Sequence, residues 1–359
     1  MKKKKLYLKI GVIMLGLLIA LRLSLPYIVL RYVNNMLSEL NGYKGHVNDI
    51  DIHLIRGAYT IHHLNIEKTE GKSYVPFFLA EKTDLSVQWK AIFKGAFVGE
   101  VIINNCALNF VNGGKGASQD GGNNDWREPV KKLFPLKINR LEVLNGEIHY
   151  RDYSESPDIN LYLQSVHAVA NNLTNSEKLS KTMVADIVST GKAMKTGTFK
   201  FNLQFDPYAE SPYFNMDAKM EKLPATELNN FFKAYGKFDV QDGTVGLYIE
   251  AAAKDGGIKG YVKPLIENLN VLKPKEEKLG PIRFLYEAAI EGLGEIFKNH
   301  PKDRIATKVP FSGQLDNPKI QVWTVVTNLI SNAFIKVLLP NIDNTINMKD
   351  TEKPKKKKD

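Results

Sequence analysis

The feature that most constrains the fold of this chain is an alternation of apolar and polar residues in two consecutive segments. In residues 199–206 the apolar positions are Phe199, Phe201, Leu203 and Phe205. In residues 214–221 they are Phe214, Met216, Ala218 and Met220. Successive side chains of a β-strand point to opposite faces of the sheet. The pattern therefore predicts two strands, each with one apolar and one polar face.

Near the start of the chain the same period predicts a β-hairpin. Ile50, Ile52 and Leu54 alternate with polar residues, and the chain returns through residues 59–66 after a turn at Arg56–Gly57. The apolar parity changes at His62–His63. An extra residue in one strand changes parity in this way, so a β-bulge is predicted there.

Much of the chain after this hairpin is also predicted to be extended. A third strand carries Leu85, Val87 and Trp89, and residues 98–111 supply a strand pair. Further strands are predicted at residues 137–144, 147–152, 159–170, 182–190, 245–251, 258–262 and 311–315. The glycine-rich segment 112–124 predicts a flexible loop.

Helical periodicity is weaker and more local. Helices are predicted at residues 91–95, 125–134, 226–235, 281–298 and 322–339. In the third of these, Thr226 is placed to cap the N-terminus. Its apolar stripe consists of Leu228, Phe231, Phe232 and Tyr235. Residues 345–359 are polar and charged, which predicts disorder.

The N-terminal segment predicts a membrane anchor. Residues 10–21 are apolar without interruption, and mostly apolar character continues to Leu30. About 20 such residues span a bilayer core. A cleaved secretory signal would share this pattern, but residues 20–24 form a poor cleavage site, which favours an uncleaved signal anchor. Residues 31–40 continue as a short amphipathic helix that ends near Asn41–Gly42.

The charge pattern orients the anchor and excludes one class of partner. The formal net charge is +10, but the lysine runs Lys2–Lys5 and Lys355–Lys358 leave only +2 between them. Basic residues before the anchor place the N-terminus in the cytoplasm and the following body across the membrane. The nearly neutral body lacks a basic face with interleaved aromatic residues, so nucleic acid is not expected as a partner.

The polar residues offer no convincing catalytic or metal site. His62 and His63 are adjacent, so in a strand they point to opposite faces and lack a nearby third ligand. Asp49 and Asp51 share a polar face without a neighbouring nucleophile. The single cysteine, Cys106, is expected to be a buried apolar residue. We therefore expect neither an enzyme nor a bound cofactor or metal.

The order of elements resembles the AsmA-like family of bacterial envelope proteins. The resemblance covers residues 6–339 and includes the anchor. It rests further on the segments Leu54-Ile55-Arg56-Gly57, Trp89-Lys90-Ala91-Ile92-Phe93-Lys94-Gly95, Leu144-Asn145-Gly146-Glu147-Ile148, Gly313-Gln314-Leu315-Asp316-Asn317-Pro318-Lys319 and Asn332-Ala333-Phe334. It implies a curved antiparallel sheet with an apolar interior groove, as in bridge-like lipid-transfer proteins of the Gram-negative envelope.

Together these observations predict a mainly β protein with some α structure. Residues 1–42 hold the basic start, the anchor and the juxtamembrane helix, and an elongated, curved antiparallel sheet forms a β-groove domain over residues 43–270. Residues 271–344 add C-terminal amphipathic helices and a strand, followed by a basic tail at 345–359. Some 14 to 18 strands at ~4.8 Å spacing would extend only about 70 to 85 Å. Transport would then need a partner, self-association or a shuttle step.

The resemblance and the alternation together predict a set of groove-lining, lipid-binding residues. The set is Ile50, Ile52, Leu54, Leu85, Val87, Trp89, Leu108, Phe110, Phe199, Phe201, Leu203, Phe205, Phe214 and Met216. Whether this face is an open groove or packs shut as a sandwich core stays open. The C-terminal helices could cap the sheet, or could dock on a membrane or a partner.

The leading functional hypothesis is an inner-membrane-anchored periplasmic protein that binds phospholipid or helps to transfer it in support of the cell envelope. The alternative is a membrane-tethered scaffold that recruits envelope assembly factors without lipid transfer. Envelope proteins or a second copy of the chain are the expected protein partners.

Overall fold

The computed structural model describes residues 2–40, 42–53, 56–69, 75–93, 98–113, 118–119, 137–174, 184–207, 209, 211–236, 239–272, 304–306 and 308–314. The chain divides into two compact units, Met1–Ile148 and His149–Asp359. Both are mainly β within this range. Leu54, most of the loop 112–124, the helices predicted at 125–134, 281–298 and 322–339, and the tail 345–359 lie outside the described residues.

The first unit begins with one long helix, α1 (Lys2–Ser38). Its segment Lys9–Ser38 is long and apolar enough to cross a membrane, with a mean hydropathy of 2.2 over its most apolar 18 residues. The juxtamembrane helix predicted from residue 31 is the last part of this same helix. The chain then turns at Gly42, whose φ of 72° lies in the left-handed region that favours glycine.

Five strands follow α1, with a short helix α2 (Trp89–Ile92) after the third. They are β1 (Tyr43–His53), β2 (Ala58–Lys68), β3 (Phe78–Val87), β4 (Val98–Asn112) and β5 (Lys137–Asp152). The pairs β1–β2, β2–β3 and β3–β4 are antiparallel. The predicted hairpin around Arg56–Gly57 is confirmed. The bulge predicted at His62–His63 is wrong, because the β1–β2 register is the same on both sides of His63 and neither strand has an extra residue, although the φ of His63 is 53°.

Three further details of this unit differ from the sequence prediction. The strand pair predicted at 98–111 is one strand, β4, and the two strands predicted at 137–144 and 147–152 are one strand, β5. Asn105 and Asn145 have a left-handed backbone conformation inside these strands, and asparagine is also a common turn residue, so the sequence alone does not distinguish a turn from a continuous strand there. Trp89 was predicted in the third strand, but it begins α2.

The second unit contains eight further strands among its described residues. They are β6 (Ile159–Asn171), β7 (Ala185–Ala193), β8 (Gly197–Phe205), β9 (Phe214–Pro224), β10 (Asp239–Lys254), β11 (Gly257–Leu272), β12 (Arg304–Ala306) and β13 (Val309–Gln314). Neighbours from β6 to β11 pair antiparallel in chain order. Both β12 and β13 pair with β11. The tight turn predicted at 254–257 joins β10 to β11.

A helical segment, residues 225–236, separates β9 from β10. It confirms the helix predicted at 226–235, but its geometry changes from a 3₁₀ turn (Ala225–Leu228) through an α turn (Asn229–Phe231) to a π turn (Phe232–Gly236). Pro224 occupies the N-cap position without a side-chain hydrogen bond, so the prediction that Thr226 caps the helix is wrong. Leu228, Phe231 and Phe232 are buried as predicted.

Candidate functional site

The alternation that dominates the sequence produces an apolar face in the second unit. In β8, Phe201, Leu203 and Phe205 are buried, whereas Lys200, Asn202 and Gln204 are exposed. In β9 the buried positions are Phe214, Met216, Ala218, Met220 and Leu223. The period-2 pattern thus corresponds to an inner apolar face and an outer polar face on two neighbouring strands.

Strand register extends this apolar face over six strands, from β7 through β11 to β13. The row through Phe201 contains Ser189, Phe201, Ala218, Ile249, Val262 and Val309. The row through Leu203 contains Ile187, Leu203, Met216, Ala251, Gly260 and Phe311. Five spacings of ~4.8 Å make the face about 24 Å wide.

Only part of this face was among the predicted lining residues. Ala218 on β9 and the members on β7, β10, β11 and β13 were missed, although β10 carries the same signal in Val245, Leu247, Ile249 and Ala251. Ser189 and Gly260 interrupt the apolar pattern in the neighbouring strands. Strand register, which the sequence pattern alone does not supply, was needed to join them into one face.

Low exposure shows that this face is shielded from solvent. The exposed fraction is 8% for Phe201, 1% for Leu203 and 3% for Phe205. Of the two alternatives left open by the sequence, these values correspond to a packed face rather than to a groove filled with water. Any ligand on this face therefore has to enter a layer that is already covered.

The predicted lining residues of the first unit belong to a separate apolar core. Ile50 and Leu85 are buried there together with Val33 and Leu37 from the C-terminal part of α1. The half-buried members of the predicted set that pack against this core are Ile52, Leu108 and Phe110. The structure thus brings five of the predicted residues together in one apolar core with α1. This core belongs to a different unit from Phe201 and its neighbours.

Two further members of the predicted set lie at the end of the first hairpin. Trp89 donates a hydrogen bond from Nε1 to the carbonyl oxygen of Arg56 at 3.2 Å. Val87 donates its backbone N–H to Gly57 O at 3.1 Å. Trp89 is 51% exposed, so its ring covers the Arg56–Gly57 turn without being part of the core.

The polar candidates have structural partners. His62 Nε2 lies 3.0 Å from Asp51 Oδ2, and Asp49 Oδ1 accepts the backbone N–H of Ile50. Within the described residues no group of three His, Cys, Asp or Glu side chains could hold a metal ion. Cys106 is buried as expected, and burial raises the pKa of its thiol to about 11, which keeps it protonated and unreactive at neutral pH.

The second unit also has a small cavity of about 260 Å³ beside the helical segment 225–236. Its walls come from Ile159–Leu161, Met194–Lys195 and Thr226–Phe231. Glu227 is engaged there, because its carboxylate accepts hydrogen bonds from the backbone N–H of Lys195 at 2.7 Å and from Thr196 Oγ1 at 2.8 Å. These bonds hold the β7–β8 turn against the helical segment, which gives Glu227 a structural role.

Comparison with known proteins assigns no family. No protein-family model matches the chain. A search of the curated proteins also finds no match.

Proposed function

We propose that this chain is a membrane-anchored protein that binds phospholipid through the apolar face of its second unit. In this proposal α1 spans the inner membrane with its N-terminus in the cytoplasm, and the β-rich units lie in the periplasm. Lipid binding there would support the cell envelope, as expected for an AsmA-like β-groove protein. No catalytic step and no cofactor is part of the proposal.

The observation that carries the proposal is the continuity of the apolar face from β7 to β13. Leu203 and Met216 lie side by side in one row, and Phe205 and Phe214 lie side by side in the next. Such a surface has few directional polar groups, so an acyl chain can bind without a fixed register. The anchor supports the same function, because the apolar side chains of α1 that would face lipid are exposed.

The energetics allow reversible binding of a lipid on this face. Burial of each methylene contributes about 0.8 kcal/mol, so one long acyl chain gains enough to compete with its place in a bilayer. Part of this gain offsets the separation of whatever packs on the face in the unliganded protein. Binding is therefore expected to be of moderate affinity and weakly selective for acyl length.

Photocrosslinking of the full-length protein in native membranes tests the proposal. Benzoylphenylalanine at Phe201 keeps an aromatic side chain on the apolar face, and its matched control is the same probe at Val188. Val188 is opposite Asn202 on the neighbouring strand, points to the other face and is 51% exposed. Phospholipid crosslinked from position 201 but not from position 188 is the expected result.

Native mass spectrometry of the gently extracted protein provides an independent measurement. The proposal predicts co-purified phospholipid. If no phospholipid is bound and position 201 crosslinks only to protein, the lipid hypothesis fails, and the membrane-tethered scaffold is the function that the same data would support.

A further inference from the structure

Two contacts show the direction in which β1 runs relative to α1. Asn34 of α1 is hydrogen-bonded to Val47, at distances of 3.0 and 2.7 Å. Three residues later in the helix, Leu37 lies against Gly45, where a Cβ would come within 3.0 Å of Leu37 Cβ. A later helix residue therefore meets an earlier strand residue. The strand β1 runs back along α1, towards the apolar segment of the helix.

The length of β1 indicates how far back it reaches. His53 follows Val47 by six residues, which is about 20 Å in an extended strand. The same distance along a helix corresponds to about 13 residues. Measured from Asn34, the end of β1 therefore reaches at most to the level of Leu21, where the uninterrupted apolar stretch of α1 ends at Arg22.

An exposed aromatic pair lies at this end of the sheet. We call Trp89–Phe93 the aromatic turn. Trp89 is tied to the β1–β2 turn by its hydrogen bond to Arg56, and Phe93 donates its backbone N–H to Trp89 O at 3.2 Å. Phe93 is 87% exposed, and Lys90 between the two aromatic residues is also exposed. Two exposed aromatic side chains and an exposed lysine thus lie within five residues of one another at this end of the sheet.

Exposed residues of α1 at a similar level have the same character. Leu23, Tyr27 and Ile28 are 67%, 76% and 59% exposed, and they continue directly from the apolar stretch. Aromatic side chains with a polar edge concentrate where a membrane meets water, and lysine beside them suits phosphate headgroups. The aromatic turn and the exposed residues of α1 thus have the same chemistry, namely apolar and aromatic side chains of the kind found where a membrane meets water.

We propose that the aromatic turn inserts into the headgroup region of the same bilayer that α1 spans. This rests on the proposed function only for the anchor, and it is independent of lipid binding by the second unit. The first unit would then be fixed to the membrane at two points, α1 and the aromatic turn. The sheet end with the Arg56–Gly57 turn would lie on the bilayer surface. The alternative is a first unit that is attached to the membrane by α1 alone.

Fluorescence quenching by brominated lipid tests this placement. The chain has three tryptophans, and the substitutions Trp126→Phe and Trp323→Phe leave Trp89 as the only one. The full-length protein is reconstituted into phosphatidylcholine vesicles with or without bromine near the carbonyl end of the acyl chains. We expect a blue-shifted Trp89 emission and a clear loss of intensity in the brominated vesicles.

The matched control moves the probe to the other end of β1. Lys44 is exposed at the start of that strand, so Lys44→Trp combined with Trp89→Phe, Trp126→Phe and Trp323→Phe reports on the end away from the apolar segment. Its emission should not change with bromination. Unchanged Trp89 emission, or equal quenching at both positions, would overturn the proposal. Flotation of the vesicles distinguishes failure of this proposal from failure of the proposed membrane anchor. Protein that does not float with the vesicles is not anchored, and both proposals then fail.

Discussion

Asn34 and Val47 form a two-way hydrogen bond between the helix and the first strand. Asn34 Nδ2 donates to the carbonyl oxygen of Val47 at 3.0 Å, and the N–H of Val47 donates to Asn34 Oδ1 at 2.7 Å. Because β1 is the first strand in the sheet order, no strand among the described residues pairs with these backbone groups. One amide side chain therefore protects part of a strand edge, where unpaired groups invite association.

The first prediction concerns this contact. Asn34→Ala removes both hydrogen bonds and should lower the stability of the α1–β1 packing by about 1 to 3 kcal/mol. Hydrogen exchange of the Val47 amide in the detergent-solubilised protein should accelerate accordingly. Asn35→Ala is the control, because Asn35 is exposed in the same helix turn. Equal exchange rates in the two variants would contradict the structural role of Asn34.

The second unit repeats this arrangement. Asn229 Nδ2 donates to Val240 O, and Val240 N–H donates to Asn229 Oδ1, both at 2.8 Å. Each asparagine is followed by a second asparagine and two apolar residues, as Asn34-Asn35-Met36-Leu37 and Asn229-Asn230-Phe231-Phe232. In both units a helical segment is thus fastened to the strand that follows it. The similarity of the two segments was visible in the sequence, but the bonds require knowledge of how each helix packs.

Asymmetry between the two faces of the second unit gives the second prediction. Phe201→Asp places a charge in the apolar layer and should destabilise the unit by more than the roughly 3 to 5 kcal/mol typical of truncating a buried phenylalanine. Val188→Asp on the neighbouring strand should change stability by less than about 1 kcal/mol, because Val188 faces solvent. Chemical denaturation measures both, and similar losses would mean that the polar face is also packed.

The third prediction concerns close approach at Gly260. A Cβ at this position would overlap the carbonyl oxygen of Glu250 and lie 2.6 Å from Phe311 Cζ. Because Glu250 belongs to β10 and its carbonyl oxygen cannot move as a side chain can, Gly260→Ala should displace β11 from β10 and destabilise the second unit by about 1 to 3 kcal/mol. Gly313→Ala is the matched control, since a Cβ there meets no atom within 4 Å. Thermal unfolding of the two variants should separate them clearly.

How far the sequence could predict this fold depends on the length of the uninterrupted alternation. The strands β8 and β9 and the turn between β10 and β11 were predicted because their period is regular and glycine marks the turn. The strands β4 and β5 were each divided in two, because left-handed asparagines interrupt them. Register across six strands is a tertiary property, so the sequence identified Phe201 and Met216 as candidates but not the whole face.

The fourth prediction concerns acid stability near the first hairpin. Partial burial of Asp84 opposes ionisation, but the hydrogen bond from Thr60 at 2.9 Å and the neighbouring Lys82 and Arg56 outweigh it and lower the pKa of this carboxyl. A carboxyl whose pKa is lower in the folded state stabilises the fold above its unfolded pKa of about 4. This contribution is lost as the pH falls through the folded value.

Thr60→Val removes the hydrogen bond while keeping the shape of the buried side chain. It should raise the pKa of Asp84 and lower the free energy of unfolding at pH 7 by about 1 kcal/mol. Because the variant has less of the ionisation-linked stability to lose, its deficit relative to the wild type should shrink below about pH 4. Thr190→Val, on a solvent-facing position of β7, is the control. Denaturant unfolding at pH 7 and pH 3 measures the two deficits, and a deficit independent of pH would show that Asp84 does not depend on Thr60.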